Sequence, residues 1–122
     1  MNLGCRVLSV ERDPLVRAAL RDLLPCRQYE LIQTHDARSG LEALEWVRAR
    51  VVLLDPGLTT GEHGVALVAR LASLPDPPLV VIMDRSADDS APEIAFRLAA
   101  QTHSLAAGGE GLIKLLDRAR SC

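Results

Sequence analysis

The chain has 122 residues, 48% of them hydrophobic, and a formal net charge of −2. That length fits one domain with a sizeable core, and the apolar content excludes a disordered tail. The apolar runs are too short for a membrane span, and the interspersed charges leave no polybasic footprint for nucleic acid or a membrane surface.

Aromatic residues make up 2%, so the core is expected to be aliphatic. Cys5, Cys26 and Cys122 are widely spaced and form no CxxC or Cys/His cluster. The expectation is reduced thiols in the cytoplasm, with neither a disulfide frame nor a zinc site. The first residues lack the apolar core and small-residue cleavage site of a secretory signal.

Arg6 to Val10 reads as a first strand, with Cys5 joining it, and ends at Glu11-Arg12-Asp13. Asp13-Pro14 then opens a helix, Asp at the N-cap and Pro at the first helical position. Leu15, Val16, Ala19, Leu20, Leu23 and Leu24 follow at helical spacing until Pro25. Tyr29 to Thr34 reads as a second strand whose polar content suits a sheet edge. A second helix is expected over 36–50, with Leu41, Leu44 and Val47 inward and Trp46 packed beside them.

Val51 to Leu54 is an uninterrupted apolar run, the pattern of a strand buried on both faces. It stops at Asp55, before Pro56-Gly57. Two readings of that carboxylate stand together here: a nucleophile or metal ligand, or a polar strand end that caps the next loop. Residues 59–64 read as a polar loop holding His63, and 65–73 as a third helix. Residues 79–83 form another buried strand, ending at Asp84. A helix is expected over 92–100, a weak strand over 104–107, and a final amphipathic helix over 110–120. The Gly-rich stretch 108–111 lacks the full pattern of a phosphate-binding loop.

Five strands alternating with five helices imply a single α/β domain over 1–122, with a parallel sheet and helices on both faces. The flavodoxin-like order 2-1-3-4-5 suits that number of units. Strands 1 and 3 then flank the switch point. Glu11, Arg12 and Asp13 arrive beside Asp55, with Asp84 close on strand 4. Asp13 is accounted for as an N-cap, Asp84 as a solvent-facing strand end, and His63 as an exposed loop residue. His35 and His103 join no set of ligands.

Residues Val10-Glu11-Arg12-Asp13-Pro14-Leu15-Val16-Arg17, Val52-Leu53-Leu54-Asp55 and Ala37-Arg38-Ser39-Gly40-Leu41-Glu42-Ala43-Leu44 resemble the first strand, third strand and second helix of response-regulator receiver domains. The resemblance spans essentially the whole chain. It implies a two-component signalling role, with Asp55 at the phosphoacceptor position. Family chemistry needs two acids that hold Mg²⁺, a Ser/Thr after strand 4 and a Lys after strand 5.

This sequence keeps Glu11, one methylene longer than the usual acid, and Asp55. Arg12 stands in place of the metal-binding acid, Met83 or Asp84 in place of the Ser/Thr, and Ala107 in place of the Lys. A metal site would have to be built from Glu11, Asp13 and Asp55, if Arg12 permits it. No cofactor is expected; Mg²⁺ enters only under the alternative of an active receiver phosphorylated on Asp55 by a histidine kinase. The main expectation is a pseudo-receiver that binds a regulatory protein, a kinase or an output domain, without being an enzyme. Residues 92–120 are the expected partner or homodimer surface.

Overall fold

The computed structural model describes residues 5–24, 28–84, 98, 101–104 and 109–120. Five parallel strands lie in the order β2-β1-β3-β4-β5: β1 Cys5–Val10, β2 Tyr29–Thr34, β3 Val51–Leu54, β4 Leu79–Asp84 and β5 Gln101–Ser104. The helices are α1 Pro14–Leu23, α2 Ala37–Ala43, α3 Gly61–Ser73 and α4 Gly109–Arg120, with a 3₁₀ turn at Pro56–Leu58. Among the described residues no helix is long and apolar enough to cross a membrane.

Alternation along the strands builds two cores. Leu8 and Val10, Val52 and Leu54, Val80 and Ile82 face α2 and α3. Val7, Leu53, Val81 and Met83 face α1 and α4, meeting Leu20, Leu24, Leu112 and Leu116. Each fully buried aliphatic side chain contributes about 1.5–3 kcal/mol by leaving water, so the β3 run, at most 1% exposed throughout, anchors both faces. Tyr29 is the large buried exception, and its hydroxyl donates to the Asp117 carboxylate, tying β2 to α4.

Several boundaries differ from the sequence expectation. The second helix stops at Ala43. Tight bonds from Glu45 N to Glu42 O and Trp46 N to Ala43 O end it, and the chain then returns so that Arg50 N reaches Arg6 O on β1. That return keeps Leu44 and Val47 buried but turns Trp46 outward, 69% exposed, against the expectation of packing. Leu15 is exposed too, because it sits on the first turn of α1, away from the core positions Leu20 and Leu24.

Helix α3 begins at Gly61, four residues before the expected start, so His63 is an exposed helical residue and not a loop one. Glycine explains the early start. Gly61 has φ +76°, a conformation open to glycine at little steric cost. Gly64 packs on the loop backbone, where a Cβ would lie 2.6 Å from the Thr59 carbonyl carbon. Strand β5 begins at Gln101, three residues earlier than expected. Its polar residues carry no apolar run; pairing with β4, from Val81↔Gln101 to Asp84↔Ser104, defines it. The helix expected over 92–100 lies outside the described residues apart from Leu98, which packs on the α2/α3 core. Cys26, Cys122 and residues 105–107 also lie outside them.

Helix α2 starts in a reciprocal cap. Asp36 Oδ1 accepts from Ser39 N at 2.7 Å, and Ser39 Oγ accepts from Asp36 N at 3.3 Å. The bond from the Ser39 amide, with that from its hydroxyl second, holds the Asp36 carboxyl below its ordinary pKa. A depressed carboxyl stabilises the fold above its unfolded value, about 3.9 for Asp, and loses that contribution as pH falls through the folded value. Asp36→Ala should therefore cost about 1 kcal/mol at neutral pH. Urea unfolding of both proteins should show the gap narrowing below about pH 4.

Candidate functional site

The strand ends carry the charges. Glu11 and Asp55 each follow the paired residues Val10 and Leu54, and both are only 1% exposed. Asp55 N bonds Val10 O at 2.9 Å, which closes the β1–β3 ladder at the level of the carboxylates. A charge buried this deeply must be solvated by the protein itself.

Both Asp55 oxygens are engaged. Oδ1 accepts from Gly57 N at 2.9 Å, so the carboxylate caps the 3₁₀ turn that follows it. Oδ2 lies 3.3 Å from Arg12 Nε and accepts from Arg12 N at 3.4 Å. The Arg12 side chain, 56% exposed, runs across the loop after β3. A Cβ on Gly57 would stand 2.6 Å from Arg12 Nη2, so the glycine makes room for the guanidinium.

Glu11 and Asp13 repeat the pattern. Glu11 Oε2 accepts from Asp13 N at 2.9 Å, and Asp13 Oδ1 accepts from Leu15 N at 2.9 Å. All three acids thus receive the amide two residues downstream, the geometry of an Asx-type turn. In Asp13-Pro14-Leu15 and Asp55-Pro56-Gly57 the intervening proline has no N–H, which leaves the second amide as the first donor available. Arg17 Nη1 fixes the same loop from below by donating to Glu11 O at 2.8 Å.

The structure therefore brings Arg12 onto Asp55 and sets Asp13 at the α1 N-cap. The other sequence-predicted residues fall as follows. Met83 is one residue beyond Ile82, which pairs with Leu54, so it is the β4 residue level with Asp55; its side chain is 2% exposed and belongs to the α1/α4 core. Asp84 is half-buried at the end of β4. Ala107 lies outside the described residues. Sequence reasoning missed Gly57 and Arg17, whose parts depend on a side chain from another segment crossing their own.

The resemblance to receiver domains implies Mg²⁺, and the donor set can be tested for it. Among the described residues no group of three or more His, Cys, Asp or Glu is placed to hold a metal ion. Asp13 is turned into its helix, and the exposed side of Asp55 is covered by a guanidinium. Mg²⁺ requires a near-octahedral oxygen shell at about 2.0–2.1 Å. Against a fixed cation about 4 Å away it would meet a repulsion of several kcal/mol. These residues do not fit the ion while Arg12 holds its place.

Gly57→Ala should push the guanidinium off Asp55. The expected results are a shifted Arg12 Nε–H resonance in NMR spectra and a loss of about 1 kcal/mol in urea unfolding. An unmoved resonance would mean that Gly57 does not set the path of Arg12.

No family model matches the sequence, and no curated protein matches it. Solved structures do. The signal receiver domain of an HD domain-containing protein from Pseudomonas fluorescens Pf-5 superposes with a TM-score of 0.83 at 19% identity, over 99% of this chain and 90% of that one. A CheY-like response regulator receiver domain protein from Methanospirillum hungatei JF-1 gives 0.80 at 17% identity, over 97% and 94%. A chain from the complex of the histidine kinase ThkA with the response regulator protein TrrA gives 0.75 at 14% identity, over 94% and 97%. With its parallel sheet, its flanking helices and a carboxylate at the end of β3, this chain has the flavodoxin-like fold of response-regulator receiver domains.

Proposed function

We propose that the chain is an atypical receiver that signals through protein–protein contact, with metal-dependent phosphoryl transfer to Asp55 lost or impaired. The observation that carries this reading is Arg12 Nε 3.3 Å from Asp55 Oδ2, on a carboxylate whose other oxygen already caps a turn. Attack on phosphorus needs a carboxylate lone pair and a cation that gathers the phosphoryl oxygens. Here one oxygen is held by Gly57 N–H and the other by Arg12. The guanidinium neutralises the charge without offering the open coordination positions of a metal.

Two further residues support the reading. Met83 places a thioether level with Asp55, where the resemblance implies a hydroxyl, and Ala107 stands where it implies a lysine. Neither side chain carries a hydrogen-bond donor to steady a phosphoryl oxygen. The module proposed is non-enzymatic and cytoplasmic. Its partner is a regulatory protein, with a histidine kinase or an output domain as the forms that receiver partners take. The surface over 92–120 is kept as a contact or homodimer face.

The test is an amide NMR titration with beryllofluoride, a mimic of an acyl phosphate, with and without Mg²⁺. The wild type should give no magnesium-dependent shifts around Asp55, whereas Arg12→Asp, which restores an acid at that position, should gain them. Clear shifts in the wild type would instead establish a phosphoacceptor receiver and send the search toward a kinase.

A further inference from the structure

Opposite the Asp55 end, the loops entering the sheet enclose a groove of about 630 Å³, between the segment after α2 and the segment after α3. Its wall carries Trp46, the one tryptophan of the chain, 69% exposed. Three arginines line the same groove: Arg48, Arg50 and Arg70. Arg70 leans on Glu45 at 3.8 Å, across from α3 to the α2 side. The guanidiniums of Arg48 and Arg50 make no hydrogen bond or ion pair among the described residues. Leu74 and Pro78 supply an apolar floor, and Asp76 is the remaining charge.

We infer that this groove is a docking site for an acidic linear segment of a protein partner, one that carries an apolar side chain between its carboxylates. The inference rests on the reading of the chain as a protein-contact module and names a surface for it. Charge sets the occupant. The chain as a whole carries −2, yet once Arg70 is paired with Glu45 the groove keeps Arg48 and Arg50 against Asp76 alone. Planar guanidiniums bind carboxylates in a two-pronged fashion. An exposed Trp flanked by Arg is the composition enriched where protein partners anchor.

The leucine and proline floor receives the apolar side chain, as a hydrophobic anchor fills the centre of an interface ringed by charge.

Trp46 supplies its own readout, since no other indole contributes to the emission. The probe is the hexapeptide Glu-Asp-Leu-Phe-Asp-Glu, compared with a counterpart in which lysines replace the acids, and with ADP. The acidic peptide should move the emission to the blue in a saturable manner, with an affinity that falls as salt rises. Arg48→Glu/Arg50→Glu should weaken it about tenfold or more while far-UV circular dichroism stays unchanged. Asp55→Asn should bind like the wild type, because the groove lies at the other end of the sheet. Three results would overturn the proposal: no response to the acidic peptide, an equal response to the lysine peptide, or a response to ADP alone. Beryllofluoride tests Asp55 separately, so the phosphotransfer reading can fail while the groove still binds, and the groove can fail while that reading stands.

Discussion

The burial of the Asp55 carboxylate governs the functional end of this molecule. A charged group at 1% exposure costs several kcal/mol unless the protein replaces its water. Here it receives two backbone amides, from Gly57 and Arg12, and one guanidinium. Each provision constrains its surroundings. Gly57 must lack a side chain for Arg12 to pass, and Arg12 is carried by the loop that Glu11 and Arg17 hold in shape. The loops after β1 and β3 are therefore one unit, closed by an ion pair between residues 43 positions apart in sequence. Because Arg12 keeps a solvent-exposed side, the pair itself contributes modestly to stability. Its larger consequence is to decide what else can approach the carboxylate.

The sheet was legible because its signals are local. Val51-Val52-Leu53-Leu54 has no polar face, which requires cover on both sides, and the described helices supply it. Asp13-Pro14 gives a cap and a first helical residue in adjacent letters, and the α1 start lies where that pair puts it. Of the two readings of Asp55 left open by the sequence, the geometry displays the capping one, with an ion pair beside it. Its Oδ1 caps the 3₁₀ turn while its Oδ2 meets the charge from Arg12. A carboxylate at a strand end followed by Pro-Gly was bound to find the downstream amide. Which cation joined it depended on the neighbouring strand.

What failed to read out was set by tertiary contacts. Periodicity continues past Ala43 into Leu44 and Val47, so the sequence favours a longer helix than the sheet allows. The chain must bring Arg50 to Arg6 before β3 begins, and Trp46 is turned into solvent as a result. The early start of α3 rests on Gly64 touching the Leu58–Thr59 backbone, a contact that no pattern of apolar residues announces. Strand β5 was placed late for the opposite reason, since its polar residues become a strand only through pairing with β4. Gly109 belongs to the same class. Part of a glycine run that looks like an anion-binding turn, it lets α4 approach α1, where a Cβ would meet Leu23 Cδ1 at 2.6 Å.

The fold and the strand-end site are supported by different residues. The residues of both cores lie along the strands and on the inner faces of the helices, whereas Glu11, Arg12, Asp13 and Asp55 lie past the last paired residues. The local duties of the three acids are turn-capping ones, each met by an amide two positions on, and these do not depend on the chemistry performed there. Arg12 takes no part in those amide bonds through its side chain, which adds a counter-charge to Asp55. Met83 shows the converse: a side chain level with the carboxylate packs in the α1/α4 core, so a polar residue there would leave a buried hydrogen-bonding group to satisfy. The strand ends are thus tied to the packing beneath them through Met83, while position 12 lies outside it, on the loop that closes over Asp55.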